Sequence, residues 1–218
     1  MNYLLHQENQ HILLVMILML TIAFVFGNLL SIAIVLVVVC MFLFFFRAPD
    51  IDRIKDATRK QPPNVFLSPC FGTVTDIIRD DDNDLVTISI FLSIFDIHSQ
   101  YVPCNSVLKS ATYKEGFFES AQLMRKTEKN ERMIWEFNSH EFGVYKVEQI
   151  AGFIARAIVM FLPTKPGTKV KPGDELGMIR FGSRVTVTLD RKENLDVMVK
   201  IGQKVRGPFS VLAKKRSR

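Results

Sequence analysis

The first part of the sequence lacks positive charge. Residues 1–46 contain no lysine or arginine, and residues 12–46 contain no charged residue of either sign. A secretory signal would need a positive start, a shorter apolar core and a small-residue cleavage site. The sequence therefore predicts a retained membrane anchor over residues 1–48.

The apolar run is longer than the roughly 20 residues that one membrane span needs. Gly27 and Asn28 lie near its middle, which favours a helical hairpin of residues 12–26 and 29–46 over the alternative of one long tilted span. Five basic residues crowd the exit of this run: Arg47, Arg53, Lys55, Arg59 and Lys60. By the positive-inside rule, we expect a cell inner membrane protein with its soluble domain on the cytoplasmic side.

Cysteine is also scarce. Cys40, Cys70 and Cys104 show neither metal-ligand nor disulfide spacing, which suits a reduced, cytoplasm-facing domain. The acidic run over residues 80–84 lacks the EF-hand spacing, so it predicts a solvated turn and no metal is expected. The formal net charge is +6 without any nucleic-acid motif. We expect no nucleic-acid partner, but a basic domain held close to anionic lipid.

The rest of the chain alternates short apolar stretches with turns, which predicts strands. A charged segment punctuated by prolines, residues 49–64, is expected to link the anchor to a β-rich domain over residues 65–218. A weak repeat, residues 166–173 and 200–207, places a Lys-Val pair between glycine turns, a rhythm common in barrel-sandwich domains. The predicted fold class is therefore mainly β (α+β), a barrel-sandwich-like β domain with an N-terminal membrane helical hairpin.

A Gly-Ser step interrupts one of these apolar stretches. Residues 177–185 read as strand on both sides of Gly182 and Ser183. The ordinary interpretation is a β-bulge, because glycine inside a strand usually marks a bulge or a bend. The alternative is that Ser183 attacks the carbonyl of Gly182, since glycine leaves that carbonyl unhindered and a strained peptide can bend toward the geometry of attack.

Four further short segments precede this step along the chain. They are Phe-Asp-Ile-His at residues 95–98, Asn-Glu-Arg at 130–132, Gln-Ile-Ala-Gly at 149–152 and Ala-Arg at 155–156. Together with residues 177–185, they resemble the short, membrane-bound type of phosphatidylserine decarboxylase proenzyme. The resemblance covers most of residues 44–212.

The resemblance implies autocatalytic serinolysis between Gly182 and Ser183, which leaves a heterodimer of residues 1–182 and 183–218. Ser183 would become a pyruvoyl group, a cofactor that accepts the electrons released when phosphatidylserine is decarboxylated to phosphatidylethanolamine. His98 is the candidate catalytic acid, because imidazole exchanges protons near neutral pH.

Three further side chains are candidates beside this catalytic pair. Asp96 is a candidate orienting carboxylate, since residues two apart on a strand share a face. Arg156 and Arg184 are candidate substrate-binding residues, because guanidinium groups bind phosphate and carboxylate, although structural ion pairs are equally expected for both. A homo-oligomer is left open.

One departure from the family pattern keeps two alternatives open. Phe71 stands where the family commonly has an aspartate, which in longer relatives orients a histidine during self-cleavage. A degenerate, unprocessed relative with a structural or lipid-binding role is the first alternative. The second alternative is a membrane-tethered barrel-sandwich binding module, which does not explain why the five segments occur together in one chain.

Overall fold

A computed structural model describes residues 10–47, 49–117, 129–152, 158–180, 183–190 and 194–216 of the chain. The chain divides into two compact units, Met1–Asp50 and Ile51–Arg218. The first unit is helical, and the second contains all the strands that the structure describes.

The first unit contains two contacting helices, α1 (Gln10–Phe26) and α2 (Leu29–Phe45). The helix breaks at the Gly-Asn pair because Asn28 adopts an extended conformation and caps α2, its Oδ1 accepting a hydrogen bond from Ser31 N at 3.0 Å. Within the described ranges, no helix is both long enough and apolar enough to cross a membrane. A membrane role for α1 and α2 stays a prediction.

The segment expected to be a linker, residues 49–64, contains a third helix, α3 (Ile51–Arg59). Its Ile54 and Thr58 are buried, and Thr58 Oγ1 donates a hydrogen bond to the Pro172 carbonyl at 2.9 Å. Helix α3 is therefore packed on the β-rich unit, which begins at Ile51.

The β-rich unit shows fourteen strands within the described residues. They are β1 (Val65–Leu67), β2 (Gly72–Asp80), β3 (Leu85–Leu92), β4 (Ser99–Tyr101), β5 (Ser106–Lys114), β6 (Arg132–Ser139), β7 (Gly143–Ala151), β8 (Ile158–Met160), β9 (Lys169–Val170), β10 (Glu175–Ile179), β11 (Ser183–Asp190), β12 (Leu195–Val197), β13 (Lys204–Val205) and β14 (Val211–Lys215).

These strands form three sheets. The largest has eight strands in the order β13-β2-β3-β11-β7-β6-β5-β9. Two sheets of three strands, β1-β14-β12 and β4-β10-β8, accompany it. The pairings between named strands are antiparallel.

The core lies between the sheets. Phe66 of β1 packs edge-on against two rings: its ring centroid is 5.2 Å from that of Phe142 and 5.0 Å from that of Tyr145 in β7. The three-stranded sheet that contains β1 therefore packs against the eight-stranded sheet. Strand β11 is buried along nearly its whole length, and β3 and β7 pair with it on its two sides. The expected mainly β, sandwich-like fold is confirmed, but the described residues do not close into a barrel.

The weak sequence repeat corresponds to the two edge strands of the large sheet. The Lys-Val pairs form β9 and β13, each with an exposed lysine and a buried valine. Gly167 and Gly202 precede them at φ +86°, a conformation that glycine adopts without a steric penalty. The repeat thus ends the sheet with two short strands, which limits further strand pairing at either edge.

Candidate active site

Ser183 is the first residue of β11. It pairs with Leu92 of β3 on one side and with Ala151 of β7 on the other, and its side chain is fully buried. Its hydroxyl oxygen has no hydrogen-bond partner among the described residues. Most buried hydroxyls are hydrogen-bonded, so an exception at this position calls for a functional explanation.

The Gly-Ser step lies where the chain changes sheet. Strand β10 pairs with β4 and β8, whereas β11 lies in the eight-stranded sheet. The strands on the two sides of the step therefore belong to different sheets. Gly182, the other half of the predicted cleavage site, and Phe181 lie outside the described residues.

His98 lies directly before β4 and is fully buried. Its Nδ1 is 2.9 Å from the main-chain oxygen of Asp96, and its own carbonyl accepts a hydrogen bond from Ile179 N at 3.3 Å. A carbonyl can only accept, so in the neutral imidazole Nδ1 carries the proton and Nε2 is the basic nitrogen. Ile179 ends β10, four residues before Ser183, so the topology brings both candidates to the same junction of sheets.

The carboxylate of Asp96 has other partners. It accepts hydrogen bonds from Ser93 N at 2.9 Å and Ser93 Oγ at 2.8 Å, and it lies 3.6 Å from Lys204 Nζ. His98 is thus contacted by the carbonyl of Asp96, while the predicted orienting carboxylate closes a turn with Ser93.

Two buried glutamines hold the main chain of His98. Trp135 Nε1 donates to Gln149 Oε1 at 2.7 Å, Gln149 Nε2 donates to Gln100 Oε1 at 2.7 Å, and Gln100 Nε2 donates to the His98 carbonyl at 2.5 Å. All four side chains are fully buried. Sequence reasoning gave the two glutamines no role, although Gln149 belongs to one of the segments that carry the family resemblance.

The Asn-Glu segment at residues 130–131 fixes the residue opposite Ser183. Asn130 Nδ2 donates to the Ala151 carbonyl at 2.8 Å, and Ala151 N donates to the Glu131 carbonyl at 2.9 Å. Two of the segments that carry the family resemblance, residues 130–132 and 149–152, therefore meet beside the first residue of β11, and their hydrogen bonds hold the strand that faces it.

Arg184 forms an ion pair within the protein. Its fully buried guanidinium donates from Nη1 to Asp76 Oδ2 at 2.8 Å and to Thr75 Oγ1 at 3.0 Å. Burial acts to raise the pKa of Asp76, but the hydrogen bonds from Arg184 and Thr75 and the positive charge of Arg184 lower it overall. Arg156, the other candidate for substrate binding, lies outside the described residues.

Phe71, the residue that departs from the family pattern, is partly exposed just before β2. Its segment lies against β4, because Tyr101 N donates to the Pro69 carbonyl at 2.8 Å. Burial, and to a smaller extent the negative charge of Asp96, raises the pKa of the neighbouring Cys70 thiol. Cys70 is therefore a neutral thiol and no substitute for the missing carboxylate.

A surface cavity of about 230 Å³ lies elsewhere in the β-rich unit, between α3 and β1. Thr58, Arg59, Leu67 and Lys171 are among the residues that line it, and neither Ser183 nor His98 takes part. We therefore base the candidate site on the junction between β10 and β11.

Taken together, the fold and the site define a mainly β protein whose candidate catalytic serine is buried where one sheet gives way to another. The family model described as phosphatidylserine decarboxylase matches residues 41–213. The chain belongs to the phosphatidylserine decarboxylase family.

Individual relatives agree with this assignment. A phosphatidylserine decarboxylase proenzyme of Carboxydothermus hydrogenoformans is 37% identical over 198 residues, which is 87% of this chain and 88% of that protein. The proenzyme of Pelagibacter ubique is 33% identical over 219 residues, covering 97% and 96%. That of Streptomyces avermitilis is 37% identical over 162 residues, covering 74% and 68%.

Proposed function

We propose that this chain is the proenzyme of a phosphatidylserine decarboxylase, which cuts itself between Gly182 and Ser183 and then converts phosphatidylserine to phosphatidylethanolamine. The decarboxylase activity follows from the family. The observation that carries the self-cleavage is the buried Ser183 hydroxyl, which has no hydrogen-bond partner among the described residues and directly follows Gly182.

The cleavage needs no outside reagent except water. Ser183 Oγ forms a C–O bond to the Gly182 carbonyl carbon as the C–N bond breaks, and the hydroxyl proton passes to the freed amine. Elimination then releases the Gly182 carboxylate and leaves a dehydroalanine at position 183. Addition of one water and loss of one ammonia convert that residue to a pyruvoyl group. A buried nucleophile adjacent to the scissile carbonyl supplies the proximity that such an attack requires.

The site fits a pyruvoyl group at position 183. The group would lie at the start of β11 between β3 and β7, in a buried position that restricts access of water. When bound there, its carbonyl supplies the electron sink for decarboxylation. His98 would hold and deliver a proton at Nε2, because the Asp96 carbonyl fixes the proton of the neutral ring on Nδ1.

The surroundings of the reaction follow from the sequence. We place the chain at the cell inner membrane, with residues 51–218 on the cytoplasmic side, where an anionic phospholipid is available to a basic domain. After cleavage the enzyme is a heterodimer of residues 1–182 and 183–218. The ion pair with Asp76 supports a structural role for Arg184, and Arg156 stays a predicted substrate contact.

The intact mass of the purified full chain tests this proposal. The wild type should give fragments 1–182 and 183–218, the second lighter by one ammonia than the product of simple hydrolysis. Ser183→Ala should stay whole. Thr186→Val is the matched control, because Thr186 Oγ1 is also buried without a partner among the described residues, three positions along the same strand. That variant should be cut like the wild type.

Turnover completes the test. Release of labelled carbon dioxide from phosphatidylserine carrying the label in its serine carboxyl should depend on Ser183 and not on Thr186. The second candidate function, a degenerate unprocessed relative that binds lipid, is favoured by Phe71 in the aspartate position. A wild-type chain that stays whole and releases no carbon dioxide would establish that alternative.

A further inference from the structure

Arg184 directly follows Ser183, and the two side chains lie on opposite faces of the large sheet. Neighbouring residues of a strand point to opposite faces, whereas residues two apart share one. Ser183 shares its face with Val185, which belongs to the hydrophobic core, so Arg184 lies on the other face. Its side chain is nevertheless fully buried. A buried cation needs protein partners at fixed positions, because water cannot compensate its charge there.

A β-bulge in β2 provides two of these partners. The register between β2 and β3 shifts between Val74 and Asp76, which makes Thr75 an extra residue in the ladder. In a regular strand, Thr75 and Asp76 would point to opposite faces. Here both accept a hydrogen bond from Nη1 of Arg184, at 3.0 and 2.8 Å. Bulges redirect side chains in this way, and they are frequent beside active sites.

The contact extends over three adjacent strands. Strand β3 lies between β2 and β11, so the Arg184 side chain reaches across it to β2. The hydroxyl of Thr75 accepts from Arg184 and also donates to the Ser89 carbonyl of β3, at 3.4 Å. The second residue of β11 is therefore attached to both strands on that side.

These contacts specify the register of the strand end that carries Ser183. Ser183 pairs with Leu92 and Ala151 in the register that brings Arg184 to Asp76. A slip by one residue would turn Ser183 to the other face and direct the Arg184 charge into the apolar core. Fixing a register is the best-attested use of a buried polar group, because other registers leave it unpaired.

Attack on the Gly182 carbonyl is sensitive to such displacements. The reacting atoms must approach to about 3–3.5 Å, and a misplacement of about 1 Å can cost roughly 10²-fold in rate. The hydroxyl of Ser183 has no hydrogen-bond partner among the described residues that would hold it in place. Its position therefore depends on how the backbone at residues 183 and 184 is held.

We propose that Asp76 and Thr75 are positioning residues for chain cleavage, which act through Arg184 to hold Ser183 in the register from which its hydroxyl reaches the Gly182 carbonyl. This role deepens the proposed function and rests on it. It also goes beyond a contribution to stability, because it predicts slower attack by Ser183 in chains that are fully folded.

Cleavage of the newly made full chain tests this role. The chain is synthesised in a cell-free system with detergent, and timed gels follow the intact chain well below the unfolding midpoint of each variant. Asp76→Asn keeps the side-chain shape without the charge and should slow cleavage roughly 10- to 100-fold. Leu212→Ala is the stability control, because Leu212 is fully buried in β14 and its truncation leaves a destabilising cavity. It should be cut at the wild-type rate.

A milder pair of variants avoids an uncompensated buried charge, so both chains should fold. Thr75→Val removes the hydroxyl that binds Arg184, and Thr87→Val removes one that contacts Thr188 Oγ1 at 3.2 Å on the same face of the sheet. Thr75→Val should slow cleavage roughly two- to tenfold, as expected for one lost hydrogen bond. Thr87→Val should be cut like the wild type.

Hydroxylamine identifies the step that is affected. It cleaves the ester that attack by Ser183 produces, which gives a hydroxamate at Gly182 and a free serine at position 183. It should not restore cleavage of Asp76→Asn, because little ester forms; restored cleavage would assign the defect to a later step and overturn the positioning role.

The remaining outcomes separate this role from the proposed function. Equal rates for Asp76→Asn and Leu212→Ala, or for Thr75→Val and Thr87→Val, would overturn the positioning role while the wild type is still cut. A wild-type chain that stays whole, with and without hydroxylamine, would overturn the proposed self-cleavage and this role with it.

Discussion

The buried ion pair beside the candidate serine gives a quantitative prediction. Asp76→Asn keeps the shape of the side chain but removes the charge that compensates Arg184, whose side chain is 0% exposed. Breaking a buried pair by removing one partner costs about 3–5 kcal/mol. The Asp76 side chain is 35% exposed, so water can partly replace it, and we expect a loss of about 2–3 kcal/mol.

Thermal unfolding of the full chain in detergent, followed by the fluorescence of Trp135, measures this loss. For a unit of this size the midpoint should fall by roughly 4–12 °C. Asp80→Asn is the matched control, because Asp80 lies on the same strand and its carboxylate accepts hydrogen bonds from Asn83 in an exposed turn. Equal midpoints for the two variants would refute the argument that Asp76 compensates a buried cation.

The same pair has a defined pH dependence. The pKa of Asp76 is lowered in the folded protein from its ordinary value of 3.8. Its contribution to stability is therefore fully present above 3.8 and is lost as the pH falls from there through the folded pKa. The difference in midpoint between wild type and Asp76→Asn should shrink on acidification; a difference that grows would contradict the assignment.

Two further predictions concern buried groups near the site. Gln149→Met leaves Trp135 Nε1 and Gln100 Oε1 without their partners. We therefore expect the free energy of unfolding to fall by about 2–4 kcal/mol in thermal unfolding, and chain cleavage to be slower on a timed gel. Unchanged stability and cleavage would show that the glutamines do not position His98. Burial raises the pKa of the Cys70 and Cys104 thiols, so mass-detected alkylation at neutral pH should modify them only after unfolding.

Much of the fold could be predicted from local patterns. The alternation of short apolar stretches with turns predicted a β-rich domain, and the Gly-Ser step was predicted to have strand on both sides. The change of sheet between β10 and β11 could not be predicted, because sheet membership depends on partners far away in the sequence. Local alternation specifies which residues face the core, but not which strand lies beside them.

The candidate site was predictable only where a motif marks it. Ser183 and His98 stand in recognisable segments, and their catalytic roles stay predictions. The contacts of these residues did not follow from the sequence: Gln100 and Gln149 are 49 positions apart, and Arg184 reaches Asp76 across 108 positions. Such pairs form only when strands from distant parts of the chain become neighbours.

The central position of β11 decides what a cut before Ser183 would release. Residues 183–218 supply β11 and β13 to the large sheet and β12 and β14 to a small one, so this fragment is interleaved with the remainder in two layers. No detachable domain results, and the two pieces can separate only by unfolding. Maturation would thus change the covalent chemistry of one residue while the hydrodynamic size of the molecule stays the same. The new N-terminus at position 183 would be buried between β3 and β7 as soon as it forms.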